Sequence, residues 1–199
     1  MKKNGKIIAA DIAECALFVT LMSIFTLFVK IPFYPVPLTF QTVISVLAGL
    51  LLGWKKGAIS MAVYCFAGLV GIPVFTGYSG GIAYVLQPTF GYIIGFIASA
   101  AVAGIIGGRK GLPFWRYLVA AVAAFVVNYA VGIPYFSLIW QFHLQNADLG
   151  HYIVIWNVLY MPKDFVLCVL AAVLAWKVLP VLDKGRSKLG SSQTKPTDK

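Results

Sequence analysis

The stretch YMPKDFVLCVLAAVLAWK, residues 160–177, decides the fold of this chain. Every residue between Asp164 and Lys177 is apolar, whereas Lys163 and Asp164 place opposite charges side by side. At about 1.5 Å per helical residue, Asp164 lies roughly 20 Å from Lys177. If Lys177 marks one membrane surface, Asp164 lies in the opposite half of the bilayer, and a charge at the bilayer centre costs about 2.5–3.5 kcal/mol. Such a residue usually faces the interior of a helix bundle and belongs to a functional site.

The composition of the chain is that of an integral membrane protein. Its 199 residues are 60% hydrophobic and 11% charged, whereas a soluble domain carries about 25% charged residues. The apolar runs are long enough for helices and lack the alternation of barrel strands. The first run is longer than the core of a signal peptide and has no small-residue cleavage site. We therefore predict an all-α membrane protein, a bundle of six transmembrane helices.

The net charge of +10 is explained by membrane topology. Basic residues cluster before the first predicted helix, between the second and third, between the fourth and fifth, and after the sixth. In the sequence, only Lys30 and Lys163 are left for the other side. This positive-inside pattern predicts that both termini are cytoplasmic, and it leaves no reason to expect a nucleic-acid partner.

The chain divides into predicted helices and two unusual connections. The helices are expected at residues 7–29, 39–53, 57–71, 91–107, 114–131 and 162–182. The proline-rich connection at 31–37 favours an extended conformation. The connection at 72–92, hereafter the Gly-rich segment, is too apolar for a solvent loop, so we predict that it folds back over a pocket.

The second half of the chain carries further boundary signals. Pro134 is expected to end or kink the fifth helix, and residues 137–151 are polar enough for an outer loop. We predict one transmembrane substrate-binding domain over residues 1–184. The polar tail over 185–199 is expected to be disordered.

Several polar side chains fall on the same predicted side of the membrane as Lys163 and Asp164. Asn128 lies in an otherwise apolar stretch, and Tyr135 follows about two helical turns later if the helix continues past Pro134. The other candidates open the second helix or lie in the Gly-rich segment, and they are Gln41, Ser79, Tyr84 and Gln87. Their convergence predicts a polar ligand pocket within the bundle.

Structural explanations compete with this pocket. Pro162 suits the first position of a helix, and Asp164 suits the first turn. Lys163 could reach the lipid headgroups by snorkelling. Asn128 alone equally suits a hydrogen bond between helices.

Small residues form a second candidate site, at the start of the first helix. Ala9, Ala13 and Ala16 lie on roughly one face, where another helix can approach closely. This face is explained either by internal packing or by an external partner helix.

The sequence lacks the motifs of the common enzyme classes. GWKKGAIS and GGRKGLP fail the spacing of a phosphate-binding loop, and there is no zinc motif or nucleophile elbow. Cys15, Cys65 and Cys168 lie in apolar runs and are interpreted as small buried hydrophobic residues. We therefore expect neither catalysis nor a cofactor or metal.

Two long stretches resemble the BioY family. They are PVPLTFQTVISVLAGLLLGWKKGAISMAVYCFAGLVGIPVF, residues 35–75, and GYSGGIAYVLQPTFGYIIGF, residues 77–96. The most specific pieces are the P-x-P-x-T-x-Q-T turn, the G-I-P-V-F turn, the paired glycines 80–81 and Pro88-Thr89. The chain departs from the family at Gln87 and Phe90, where the family often has glycine.

The resemblance implies a six-helix S component of an energy-coupling-factor (ECF) transporter in the cell membrane. Such a protein captures biotin from outside with high affinity. The resemblance further implies a transmembrane coupling protein and two ATPase subunits that supply the energy. Docking on the coupling protein is carried over to Ala9 and Ala13, with Ala16 as an extension.

The predicted pocket suits biotin. The two ureido N–H groups need acceptors, and a carboxylate such as Asp164 is a strong one. The ureido oxygen needs donors, which Asn128 or Tyr135 can provide. Lys163 either donates to the ureido head or pairs with the valerate carboxylate, and the two loops are expected to close over the ligand.

Three other hypotheses make different predictions. An S component for another vitamin, such as thiamin, would place a cationic ligand beside Lys163. An intramembrane enzyme would turn over a substrate. A solitary proton-coupled carrier using Asp164 would take up its substrate without ATPase subunits and with dependence on the proton gradient.

Overall fold

Six α-helices and one small hairpin form the part of the chain that the computed structural model describes, residues 5–28, 30–31, 38–108, 111–142 and 149–192. The helices are α1 (Gly5–Leu27), α2 (Gln41–Leu52), α3 (Trp54–Leu69), α4 (Phe90–Gly107), α5 (Phe114–Phe142) and α6 (Leu149–Ser192). Strands β1 (Lys30–Ile31) and β2 (Leu38–Thr39) pair antiparallel. A short 3-10 helix, Ile82–Leu86, lies within the Gly-rich segment.

The prediction of an all-helical membrane bundle is confirmed. Four of the described helices, α1, α4, α5 and α6, are long and apolar enough to cross a bilayer. The other two are shorter, with 12 residues in α2 and 16 in α3. The proline-rich connection at 32–37 lies outside the described residues, but its two ends pair as β1 and β2.

Small residues let α4 pack closely against the α2–α3 pair. Gly49 of α2 lies directly against the backbone carbonyl of Ala100, so a Cβ at this position would overlap with the backbone of α4. Gly104 lies in the same way against the backbone of Trp54. Gly53 is the single residue between α2 and α3, and its φ of 81° is a conformation that glycine adopts without strain. Helices in membranes use such small residues because close backbone approach increases their contact.

Two helices are longer than the sequence predicts. α5 continues through Pro134 to Phe142, and α6 begins at Leu149 and passes through Pro162. Residues 137–142 and 149–151 are therefore helical, and the predicted outer loop is wrong for them. A bundle tolerates proline inside a membrane helix because neighbouring groups satisfy the freed backbone positions.

The domain boundaries stay a prediction. α6 extends to Ser192, so its last turns continue into the tail that was expected to be disordered. Residues 193–199 lie outside the described part of the chain.

α1 packs against α2 and α3 and leaves one face open. The Lys56 ammonium on α3 contacts Asp11 and lies 3.0 Å from Glu14 Oε2, which pins the start of α1 to α3. Ala9, Ala13 and Ala16 are all exposed. The described bundle therefore does not use this alanine face for its internal packing.

Candidate functional site

A cavity of about 410 Å³ lies between α2, α4, α5, α6 and the Gly-rich segment. Small-molecule sites typically enclose roughly 300–1,000 Å³, so the volume suits a vitamin-sized ligand. Seven of the predicted ligand-binding residues line it, namely Gln41, Ser79, Tyr84, Gln87, Asn128, Lys163 and Asp164. Residues that are far apart in the sequence thus form one site, as their convergence predicted.

Asp164 is the centre of a hydrogen-bond network in the cavity wall. Its Oδ1 accepts a hydrogen bond from the Thr42 hydroxyl at 3.1 Å and lies 2.7 Å from the ammonium nitrogen of Lys163. Its Oδ2 accepts from the Tyr129 hydroxyl at 2.7 Å. The residue is only 8% exposed. These three donors compensate the burial of the carboxylate, which would otherwise be strongly unfavourable.

Asp164 and Lys163 are not charges at a helix end. Because α6 begins at Leu149, Pro162 lies inside the helix and Asp164 is far from the first turn. The Lys163 ammonium donates to the Thr39 carbonyl at 2.7 Å, which ties β2 to α6. The helix-start explanation of the charge pair is therefore wrong, and Lys163 is bound to Thr39 and Asp164.

Asn128 brings a side-chain oxygen without a described hydrogen-bond partner to the same cavity. It is 2% exposed, and its Oδ1 has no hydrogen-bond partner within the described residues. Gly95 on α4 lies against this oxygen, and a Cβ there would overlap with it. Buried polar atoms are rarely left unpaired, and a bound ligand or water commonly completes them. The alternative hydrogen bond between helices is not formed by Asn128 Oδ1 in this part of the chain.

Tyr135 is the predicted site residue that the cavity does not include. α5 continues past Pro134 and directs this side chain toward the 3-10 helix, where its hydroxyl donates to the Val85 carbonyl at 2.5 Å. Its ring also packs against Phe90. Tyr135 therefore fastens the Gly-rich segment to α5, and its predicted role as a donor to the ligand is not supported.

The Gly-rich segment folds back over the cavity because an aromatic cluster holds it. The Phe75 side chain is fully buried, with its ring centroid 5.7 Å from that of Tyr64 and 4.5 Å from that of Tyr84. It packs onto Gly68, where a Cβ would overlap with the ring. The segment is therefore a packed wall that carries Ser79, Tyr84 and Gln87 into the site.

Two of the three residues that hold Asp164 were not predicted from the sequence. Thr42 and Tyr129 lie in apolar helices, where a lone hydroxyl is typical of packing. Tyr129 directly follows Asn128, and this adjacency was the one signal in the sequence that pointed to it. Tyr92, Trp140 and Tyr160 also line the cavity and add aromatic surface.

A multi-pass bundle with a cavity lined by a buried charge pair is typical of a membrane protein that binds a small molecule. The comparisons with known proteins identify its family. Residues 1–184 match the family model of the BioY family. The chain belongs to this family.

Individual relatives agree with this assignment. The probable biotin transporter BioY of Lysinibacillus sphaericus is 40% identical over 162 residues, which cover 80% of this chain and 82% of the relative. The biotin transporter BioY of Thermotoga maritima is 34% identical over 75% of this chain and 85% of the relative. The chain is thus a multi-pass cell-membrane protein of the transporter class and not an enzyme.

Solved structures show the same fold. The S component for biotin from an ECF-type ABC transporter superposes with a TM-score of 0.65 at 24% identity, covering 88% of this chain and 94% of that one. FolT bound with folic acid superposes with a TM-score of 0.56 at 17% identity, covering 81% of this chain and 93% of that one. The fold is therefore shared with one protein for biotin and one that binds folic acid, and the fold alone does not identify a ligand.

Proposed function

We propose that this chain captures biotin with high affinity as the S component of an ECF-type transporter. One observation carries the proposal: the carboxylate of Asp164, fixed by three donors, shares a cavity with the Asn128 side chain, whose Oδ1 is unpartnered within the described residues. One relative named as a probable biotin transporter, from Pyrococcus horikoshii, is 42% identical to this chain over 124 residues. Family and cavity chemistry thus support the same ligand.

The chemistry of biotin suits the groups that the cavity presents. Asp164 accepts from a ureido N–H, and this charge-assisted bond is stronger than a neutral one. Asn128 can meet the ureido head through its unpartnered Oδ1, which accepts from a ureido N–H, or through its Nδ2, which donates to the ureido oxygen. The thioether ring and alkyl chain pack on aromatic surface such as Tyr92 and Phe96. Lys163 has two alternatives, the ureido oxygen or the valerate carboxylate.

Calorimetry on the purified, detergent-solubilised protein tests the ligand. We expect tight binding of biotin and none of thiamin, because a cationic ligand would be repelled by Lys163. A folded sample that fails to bind biotin would refute the proposed function. Binding of thiamin would favour the hypothesis of another vitamin.

The same proposal gives the protein an orientation and partners. Both termini face the cytoplasm, and the alanine face of α1 docks on a transmembrane coupling protein that works with two ATPase subunits. The exposure of Ala9, Ala13 and Ala16 supports this, since close helix contact needs small residues that are accessible. Proton-dependent uptake by this chain alone would instead favour the solitary carrier.

A bulky residue on the alanine face is expected to separate binding from transport. In cells that contain the coupling protein and ATPases, Ala13→Trp should slow biotin uptake while the purified variant binds biotin normally. Val126→Trp is the matched control, because Val126 is 56% exposed but lies on a different helix, α5, and does not line the cavity. Equal uptake by the two variants would argue against docking through this face.

Tyr129→Phe is expected to weaken biotin binding roughly five- to tenfold, because it removes one donor from Asp164 and leaves the carboxylate less firmly placed. The measurement is calorimetry, with thermal unfolding to check the fold. Tyr117→Phe is the control, since Tyr117 is also buried on α5 but does not line the cavity. Unchanged affinity in Tyr129→Phe would show that its hydroxyl does not support the site.

A further inference from the structure

Tyr64 of α3 lies behind the cavity wall and connects several elements. It is 1% exposed and does not line the cavity. Its hydroxyl oxygen lies 3.0 Å from the Val74 carbonyl oxygen, 3.1 Å from Gln41 Nε2 and 3.1 Å from Thr26 Oγ1. One hydroxyl therefore joins α1, α2 and the Gly-rich segment to α3.

The single proton of this hydroxyl determines the direction of its bonds. The Val74 carbonyl can only accept, and Thr26 already donates its own proton to the Met22 carbonyl at 2.6 Å, so the Tyr64 proton goes to one of these two acceptors, Val74 or Thr26. The Tyr64 oxygen can then only accept from Gln41, which must present an amide N–H to it. This fixes the orientation of the Gln41 amide. The oxygen and nitrogen of an amide are so alike in shape that packing alone would leave this orientation open.

The fixed orientation leaves the carbonyl of Gln41 for the ligand. Gln41 lines the cavity, and within the described residues its Oε1 makes no hydrogen bond. The next residue, Thr42, donates to Asp164. The first turn of α2 thus carries two cavity residues, Thr42, which holds the charged acceptor Asp164, and Gln41, whose Oε1 is a neutral acceptor.

We propose that Tyr64 is a positioning residue that turns the Gln41 carbonyl toward the ligand, so that the cavity offers a neutral acceptor in addition to the charged Asp164 to a head group with two N–H donors. A cyclic urea has this pattern, with two N–H groups flanking one carbonyl. The inference rests on the proposed function and adds a source of selectivity for the ureido head. If the Gln41 amide were rotated by 180°, its N–H would face the N–H donors of the ligand, and its oxygen would face the lone pairs of the Tyr64 oxygen. Both contacts would be repulsive.

A double-mutant cycle tests whether Tyr64 acts through Gln41. Biotin affinity is measured by calorimetry for the wild type, Tyr64→Phe, Gln41→Met and the double variant. Loss of one neutral hydrogen bond should weaken binding roughly tenfold in each single variant. The double variant should bind no more weakly than Gln41→Met, because Tyr64 has nothing left to orient. Additive losses, or no loss in Gln41→Met, would overturn the proposal.

Two control variants separate positioning from general loosening of the fold. Thr26→Val removes another partner of Tyr64 without touching Gln41, and Tyr117→Phe removes a buried hydroxyl that lies outside the cavity. Both should keep wild-type affinity, and a loss as large as that of Tyr64→Phe would overturn the proposal. Wild-type protein that does not bind biotin at all would refute the proposed function instead, so the two failures are distinguishable.

Nuclear magnetic resonance of wild-type protein with isotope-labelled glutamine gives a test that does not depend on the folding of Tyr64→Phe. The side-chain NH₂ signal of Gln41 is identified by its loss in Gln41→Met. We expect slow exchange of this NH₂ with solvent before biotin is added and little change afterwards, because Tyr64 already holds it. An NH₂ group that becomes protected only when biotin binds would show that it faces the ligand, and would overturn the inference.

Discussion

Replacing Asp164 by asparagine is expected to weaken biotin binding at least about a hundredfold, because truncating one side of a buried charged hydrogen bond typically costs several kcal/mol. Asparagine preserves the size of the side chain and one acceptor oxygen. It removes the charge that balances Lys163, and its NH₂ has to face the Tyr129 hydroxyl or the ligand N–H. The ureido head therefore loses its strongest acceptor. Calorimetry measures the loss, and thermal unfolding checks that the variant is folded.

The matched control for this change is Asp11→Asn. Asp11 pairs with Lys56 at the start of α1 and does not line the cavity. It should therefore leave biotin affinity unchanged. If Asp164→Asn retained wild-type affinity as well, Asp164 would be a structural residue and the ligand would have to bind elsewhere in the cavity.

Lys163→Met is expected to give the second largest loss, roughly ten- to a hundredfold in biotin affinity, together with a lower unfolding temperature. Removing one partner of a buried pair leaves the other charge uncompensated, and this typically costs about 3–5 kcal/mol. We expect less here, because 24% of the Lys163 side chain is exposed and Thr42 and Tyr129 still donate to Asp164. The change also frees the Thr39 carbonyl, so β2 loses its tether to α6.

Two further lysine variants make this prediction specific. Lys163→Arg keeps the charge and should retain part of the affinity. Lys177→Met removes an exposed lysine that follows the apolar run 165–176 of the same helix and should change neither affinity nor stability. Equal behaviour of Lys163→Met and Lys177→Met would contradict a role for Lys163 in the site.

The number of helices was predictable from the sequence, but the ends of two of them were not. Apolar runs separated by basic clusters locate the spans because charge is costly inside a bilayer. Pro134 and Pro162 are strong helix-breaking signals in water, and they led to wrong ends for α5 and α6. A packed bundle can satisfy the backbone around a proline, and a single sequence does not show which neighbours will do so.

Cavity residues were predictable where a charged group or an amide interrupts an apolar stretch of the sequence. Asp164, Lys163 and Asn128 were found for this reason, and all three line the cavity. Tyr135 was placed wrongly because its direction depends on how α5 continues past Pro134. Tyr129 was missed because a hydroxyl among apolar residues is usually a packing residue, and only the tertiary structure shows that it holds a carboxylate.

The shortness of α3 has a consequence for the surrounding lipid. At about 1.5 Å per residue it spans roughly 24 Å, less than a hydrocarbon layer of about 30 Å. Its surface residues Ile59, Val63 and Phe66 are apolar and exposed, so this side of the bundle contacts acyl chains. Here the bilayer has to thin or the protein has to tilt. The long helices α5 and α6, in contrast, match the full thickness of the hydrocarbon layer. In either case the fit between protein and bilayer depends on acyl-chain length, so lipids of different chain length should change the local bilayer thickness or the tilt of the protein.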